Sequence, residues 1–365
     1  MDETADMRPQ GVVLKRGWTT GACATAATKA ALEALLGADF PDPVTIRLPG
    51  GQKPSFALAH ERRGKKFAEA GIVKDAGDDP DVTHGALVIA RVCFGAAGSG
   101  LRFLAGDGVG TVTKPGLPVA VGEPAINPVP RKMIDEAVAE ICARNGVAPD
   151  IEVTISIPGG EKLAEKTWNP RLGIVGGLSI LGTSGIVVPY SCSAWIQSIR
   201  SGIDVARAAG LAHIVGSTGE TSERAARERL DLPIEAYIDM GDFVGGMLKY
   251  LKRHPVAKVT IAGGFAKLSK LAQGRMDLHS GRGEVDFSML AEMARDAGAD
   301  GKLVAEIAAA NSAKQVLDLA EAAGIGLAKA VAGAARDEAQ RVLGDAPVEA
   351  HIVNVDRDGR IVAEI

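Results

Sequence analysis

Apolar and polar positions follow two different rhythms along the chain, and the change comes near residue 200. In the first rhythm, ACATAATKAALEALLG follows Trp18-Thr19-Thr20-Gly21. Threonine caps ahead of an alanine and leucine interior, with Gly37 as the stop, predict a helix. Alternating or continuous apolar runs predict strands over Pro43–Pro49, Phe56–Glu61, Lys66–Val73, Ala86–Phe94 and Ile151–Ile157. Lys114–Pro130 holds five prolines, which excludes both a long helix and a central strand. After it, Arg131–Asn145 puts Met133, Ile134, Ala137, Val138, Ile141 and Cys142 on one helical face and stops at Gly146. Strands and helices without a repeating order predict an α+β domain over residues 1–200.

Beyond it, strand, glycine loop and helix recur three times. Leu211–Val215 leads into Gly216-Ser217-Thr218-Gly219-Glu220, Glu235–Met240 into GDFVGG, and Val256–Ala262 into Gly263-Gly264. That order predicts a Rossmann-like, doubly wound α/β domain over residues 201–365. Alanine-rich helices from about Ser288 to Leu343 and closing strands over Val348–Val353 and Arg360–Ile365 complete it. The first ten residues read as a frayed, acidic and polar end without a signal peptide. Residues 172–199 carry no charge, yet five glycines, five serines and Pro189 describe a buried glycine-rich region rather than a membrane span.

Composition narrows the classes. With 365 residues, 46% of them hydrophobic and 24% charged, the chain has ample apolar surface for two cores and is not disordered. A net charge of −4 and a pI of about 5.9 leave no basic footprint for a nucleic acid. The dense cationic run Arg62-Arg63-Gly64-Lys65-Lys66 reads as a solvated hairpin turn. Cys23, Cys93, Cys142 and Cys192 are scattered without a CxxC, which argues against a disulfide scaffold or a zinc site and suits a reducing cytoplasm. Glycine stands out. Its 45 residues exceed the usual share of roughly 7%, and much of the excess falls in discrete loops that read as ligand-facing backbone.

Several of these loops carry candidate chemistry. Gly216, Ser217, Thr218, Gly219 and Glu220 form a first βα turn whose amides approach a ligand. Asp239 follows at about the 20-residue offset where an acid meets a nucleotide ribose. The run is not GxGxxG, so a single nucleoside fits better than a dinucleotide; an ordinary tight turn with a solvated acid remains the other reading. Thr19, Thr20 and Gly21 open a helix whose free amides favour an anion. Cys23, in that first turn, has the position of a thiol with lowered pKa, although no motif supplies its base. Lys74–Gly85 gathers four acids and His84 in a spacing that fits no EF-hand and resembles turns more than a metal site. Arg131 and Lys132 at a helix start conflict with the dipole and hint at a held anion. With Lys114 and Arg171 they point to recognition of carboxylates or phosphates. His279, in DLHSGRG, is a polar or acid–base candidate. No GxxxxGK[ST], GxSxG or HExxH is present.

The blocks RGWTTGACATAATKAAL, KDAGDDPDVTHG, GDGVGTVTKPGLPVAVGEPAINPVPRKMI, WNPRLGIVGGLSILGTSGIVVP, GDFVGGMLKY and MDLHSGR together resemble the cobalt-precorrin-5B C1-methyltransferase family of cobalamin biosynthesis. They run in order from about residue 14 to 290. The resemblance implies methyl transfer from S-adenosyl-methionine to carbon 1 of a ring-contracted corrinoid, giving the corresponding precorrin-6A. It also implies an α+β domain followed by a Rossmann-like one. In-line displacement at a sulfonium methyl asks for alignment and exclusion of water rather than a catalytic triad. The βα pattern, rather than the family blocks, puts the adenosine over Gly216–Glu220 with Asp239 at the ribose. On this reading Thr19, Thr20, Gly21, Lys114, Asn127, Arg131, Asn169 and Arg171 hold the carboxylate-rich macrocycle. Asp78, Asp107 and His279 stabilise charge or relay a proton, and no metal ligand set is expected. A nucleotide-binding small-molecule kinase or ligase, and a non-enzymatic tetrapyrrole carrier, are the alternatives, and a homo-oligomer is compatible with either domain.

Overall fold

The computed structural model describes residues 13–365; residues 1–12, with the expected frayed end, lie outside them. The chain divides into two units, Met1–Ser193 and Ala194–Ile365.

The first unit begins with β1 (Gly17–Trp18), α1 (Thr20–Leu35), β2 (Val44–Thr45), β3 (Ser55–Phe56), β4 (His60–Arg63), β5 (Phe67–Val73) and β6 (Leu87–Phe94). It continues with β7 (Arg102–Ala105), β8 (Thr111–Val112), α2 (Pro128–Asn145), β9 (Ile151–Ser156), α3 (Gly160–Ala164), β10 (Ile174–Val175) and β11 (Ile186–Val187). Strands β4, β5, β6 and β9 pair antiparallel and β7 joins β9 in parallel, in the order β4-β5-β6-β9-β7. Alternation decides which face is buried. Val88, Ala90 and Val92 of β6 and Ile151, Val153 and Ile155 of β9 enter the core shared with α1 and α2. Alanines dominate α1, so it lies close to the sheet, and its buried Thr25 and Thr28 hydroxyls return to the carbonyls of Gly21 and Ala24 at 2.8 Å. The cationic run does form the β4–β5 hairpin, with Gly64 N–H donating to Phe67 O. Two expected strands are shorter than the sequence suggests: Pro43–Pro49 contributes only β2, and Phe56–Glu61 splits between β3 and β4.

Helix α4 (Cys192–Ala208) follows in the chain, and from Ala194 on it belongs to the second unit. The second unit then contains β12 (His213–Ser217), α5 (Glu220–Arg229), β13 (Tyr237–Asp239), α6 (Val244–Leu251), β14 (Lys258–Gly264) and α7 (Phe265–Ala272). After these come α8 (Phe287–Asp296), α9 (Gly301–Ala308), α10 (Ala313–Ala322), α11 (Leu327–Leu343), β15 (Glu349–Val355) and β16 (Ile361–Glu364). The sheet order is β13-β12-β14-β15-β16, parallel except for β16. Val215, Ala262, Val353 and Val355 pack with Ala225 and Ala226 of α5 on one face. Residues of opposite parity meet other helices: Gly216 lies under Met247 of α6, Gly263 under Leu268 of α7, and Asn354 Nδ2 donates to Ala328 O of α11. Helices thus cover both faces of a mainly parallel sheet, a mixed α/β arrangement. Among the described residues no helix is long and apolar enough to cross a membrane, and no group of three or more His, Cys, Asp or Glu could hold a metal ion.

One strand residue makes this unit acid-sensitive. His213 shares a 2.8 Å hydrogen bond with Thr260 Oγ1. Burial, with repulsion from Lys258 and His351 added, pulls its imidazole down to about 4. An unfolded histidine titrates near 6.5. Between roughly pH 6.5 and 4 the unfolded chain therefore binds the extra proton, and stability falls as pH falls. Urea unfolding of His213→Gln is expected to show a flatter pH slope in that window; a slope equal to the parent's would refute the assignment.

Candidate functional site

A cavity of about 630 Å³ opens over the carboxyl ends of β12, β14 and β15, a size suited to a small organic ligand. From β12 the chain passes to β13 on one side and then to β14 on the other. The crevice between β12 and β14 is therefore where strand order reverses, the place where open parallel sheets collect ligands.

Thr218–Ser222 and Gly264–Lys267, the first turns of α5 and α7 with their cap residues, line one side. Neither helix has a side-chain cap, so their first-turn amides and positive dipole ends are turned to the opening. A Cβ at Gly219 or Gly264 would meet nothing within 4 Å, which leaves this backbone accessible. Opposite stand Lys314, Asp318 and Glu321 of α10 and the turn Asp356–Arg360. Arg360 braces that wall: Nη2 donates to both Glu321 oxygens at 2.8 Å and Nε to Asp356 at 2.9 Å. Burial alone would raise the Asp356 carboxyl, but Arg360 and the amides of Arg360 and Asp358 hold it below the usual carboxylate range. Around the cavity stand five carboxylates (Glu220, Asp318, Glu321, Asp356, Asp358) and four cations (Lys267, Lys314, Arg357, Arg360).

Two motifs meet beside it. Lys267 Nζ donates to Asp242 of GDFVGG and, at 3.0 Å, to Leu278 O of MDLHSGR. Leu278 N–H donates to Asp242 O, and Gly245 N–H to Met276 O. Lys270, buried one turn further on, points its ammonium at the carbonyls of Leu278 and His279 at 3.2 Å. Burial and the neighbouring Lys267 push that ammonium below its ordinary range.

Of the residues expected to bind the cofactor, Thr218, Gly219 and Glu220 line the cavity. Gly216 and Ser217 do not. They are buried in β12, because pairing with β13 and β14 extends the strand two residues into the apparent loop. Ser217 Oγ turns to Glu223 and Ile238 O. Asp239 ends β13, on the far side of β12 from β14, and is not part of the cavity wall. Its carboxylate accepts the Gly241 N–H. His279 Nδ1 accepts the Gly281 N–H at 3.1 Å and so caps a short turn.

The first unit brings its expected residues into structural roles. Thr19 Oγ1 caps α1 by accepting the Ala22 N–H, the Gly21 N–H donates to Leu181 O, and the Thr20 hydroxyl bridges Leu181 N and O. All three are buried, so the amides expected to face an anion are taken by the chain itself. Cys23 is also buried, and burial pushes its thiol up to about 12, the reverse of the expected lowering. Arg131 resolves its conflict with the α2 dipole by folding back to Ile126 O at 2.8 Å, Pro124 O at 3.1 Å and Glu123. Asn127 takes the N-cap position of α2 without a side-chain cap bond. Asn169 is buried, donating to Gly177 O at 3.0 Å. Lys114 and half-buried Arg171 flank the β8–β10 ladder, with the Lys114 stem lying over Gly173. Asp78 and Asp107 are exposed on separate loops, where Asp78 accepts the Lys15 N–H.

Sequence reasoning missed the cavity's second floor segment and its far wall. Gly263-Gly264 after a strand and the D-x-D-G turn signal at 356–359 were the available cues. Nothing local to Ala313–Glu321 announces that α10 returns to the β12 loop.

A family model described as CbiD matches residues 7–189, and one described as CbiD, C-terminal domain, matches residues 277–365. The cobalt-precorrin-5B C(1)-methyltransferase of Paramagnetospirillum magneticum is 62% identical, covering 96% of this chain and 98% of its own. That of Rhodospirillum rubrum is 60% identical, covering 98% and 99%. A solved structure of a cobalamin biosynthesis protein (cbiD) from Archaeoglobus fulgidus is 26% identical, covers 85% of each chain and gives a TM-score of 0.39.

Proposed function

The chain belongs to the CbiD family, and from that premise we propose that S-adenosyl-methionine binds the cavity over β12, β14 and β15 as methyl donor. Like the relatives above, the protein methylates carbon 1 of cobalt-precorrin-5B in cobalamin biosynthesis. The observation that carries the donor site is the cavity at the reversal of strand order, floored by two uncapped helix starts. Its charges suit this ligand. Five carboxylates against four cations suit a molecule with a carboxylate, an ammonium and a sulfonium better than a strongly anionic nucleoside triphosphate. The parallel order of β13, β12, β14 and β15 supports the Rossmann-like reading of this unit.

The donor supplies a methyl group on a good leaving sulfur, which the ring carbon displaces in line. What remains for the protein is to hold both reactants in register and keep water out. Thr218, Gly219 and Glu220 with Gly264–Lys267 fix the donor. For the substrate carboxylates this reading takes Lys114 and Arg171, which flank the β8–β10 ladder of the first unit. Asp78 and Asp107, being exposed, are available for charge stabilisation or proton relay.

Calorimetry is the test. S-adenosyl-methionine should bind and ATP should not, and turnover should add one methyl group to the corrinoid. Binding of ATP without S-adenosyl-methionine would overturn the reading in favour of a kinase or ligase. Corrinoid retained without a mass gain would favour a carrier.

A further inference from the structure

We propose that Lys267 reads the amino-acid end of the ligand, its ammonium taking the ligand carboxylate while Asp242 positions it. This rests on the donor site proposed above and says which end of the donor meets which wall.

Lys267 lies in the first turn of α7, where the helix dipole disfavours a cation. A cation kept against its local field marks a place where something other than the helix selects it. Its side chain is 30% exposed and lines the cavity. An ammonium has three donors. Two are used, by Asp242 Oδ1 and Leu278 O, which leaves one for the cavity. Asp242 is itself fixed from behind, because its carbonyl accepts the Leu278 N–H. On the opposite wall Lys314 is paired with Asp318 and Arg360 with Glu321 and Asp356, and with Arg357 these three cations stand among four carboxylates, so that wall is net negative. Buried Lys270 adds a second positive charge behind Lys267. Positive potential therefore concentrates on the α7 side, while Asp318, Glu321, Asp356 and Asp358 stand across the cavity. A ligand with a carboxylate at one end and cationic centres beyond it matches that polarity.

Two ligands separate the claim from its premise. S-adenosyl-homocysteine and 5′-methylthioadenosine share a nucleoside and a thioether, but only the first carries the amino-acid end. Titrated into Lys267→Met, S-adenosyl-homocysteine should lose about 10- to 100-fold in affinity, the range for a lost charge-assisted bond. Binding of 5′-methylthioadenosine should be unchanged, and Lys267→Arg should recover much of the loss. Equal losses for both ligands, or no loss for either, would overturn the assignment. Ala266→Trp, at an exposed position on the cavity wall, tests the premise. Undiminished S-adenosyl-homocysteine binding in that variant places the donor elsewhere and removes both readings. Binding lost in Ala266→Trp but retained in Lys267→Met leaves the donor site standing and removes only the role of Lys267.

Discussion

Gly108→Ala is expected to destabilise the protein by about 2–5 kcal/mol in urea unfolding, more than the same change at Gly122. Gly108 has φ +70°, where a side chain is strained by roughly 1–2 kcal/mol. Its added Cβ would stand 1.9 Å from Ile157 O and 2.7 Å from Gly160 N, inside the backbone of another segment. Backbone moves less readily than a side chain, so overpacking adds a further 1–3 kcal/mol, roughly, or more. Gly177 approaches from the other side, its own Cβ position 2.2 Å from Gly108 O. Gly122 has φ +89° with nothing within 4 Å, so it feels only the strain, about 1–2 kcal/mol. Equal losses at the two positions would show that the crossing of segments contributes nothing.

Asp81→Asn should cost about as much, roughly 3–5 kcal/mol, because it strands a buried charge. Lys74 is only 2% exposed, and its ammonium bonds Asp81 and Thr83. Lys74→Met, which removes the charge and fills the space, should cost less than Asp81→Asn. Burial by itself would raise the Asp81 carboxyl, yet Lys74 and the Thr83 bonds outweigh it and hold it below the ordinary range. An unfolded aspartate titrates near 3.9. The pair's contribution is therefore whole above about pH 4 and is lost as pH falls through the lower folded value. Guanidinium unfolding from pH 7 to 3 should show this loss in the parent and not in Asp81→Asn. A larger cost for Lys74→Met than for Asp81→Asn would sink the argument.

How far the sequence could be read depended on whether its signals were local. The start of α1 was legible because Thr19 caps it with its own side chain. The β4–β5 hairpin was legible because Gly64 and four cations resist burial. The end of β12 was not, since Gly216 joins the strand only where Ile238 and Ile261 pair beside it and Met247 covers it. Glycine misled most in the first unit. Gly108 and Gly177 are small so that segments of the chain can cross, whereas Gly219 and Gly264 leave backbone open to a ligand. Composition cannot tell these uses apart. The mixed α/β class came from periodicity; the candidate site depended on which distant loops tertiary pairing brought together.

The walls of the cavity come from segments around 218, 264, 313 and 356. During synthesis the first floor segment therefore leaves the ribosome well before the turn that carries Arg360. At about 5–20 residues per second, that interval is on the order of ten seconds. Strands β12, β13 and β14 are therefore all made before the cavity's last wall exists. On the donor site proposed above, capture of the ligand would report on closure of the Asp356–Arg360 turn against α10, the last wall to be made.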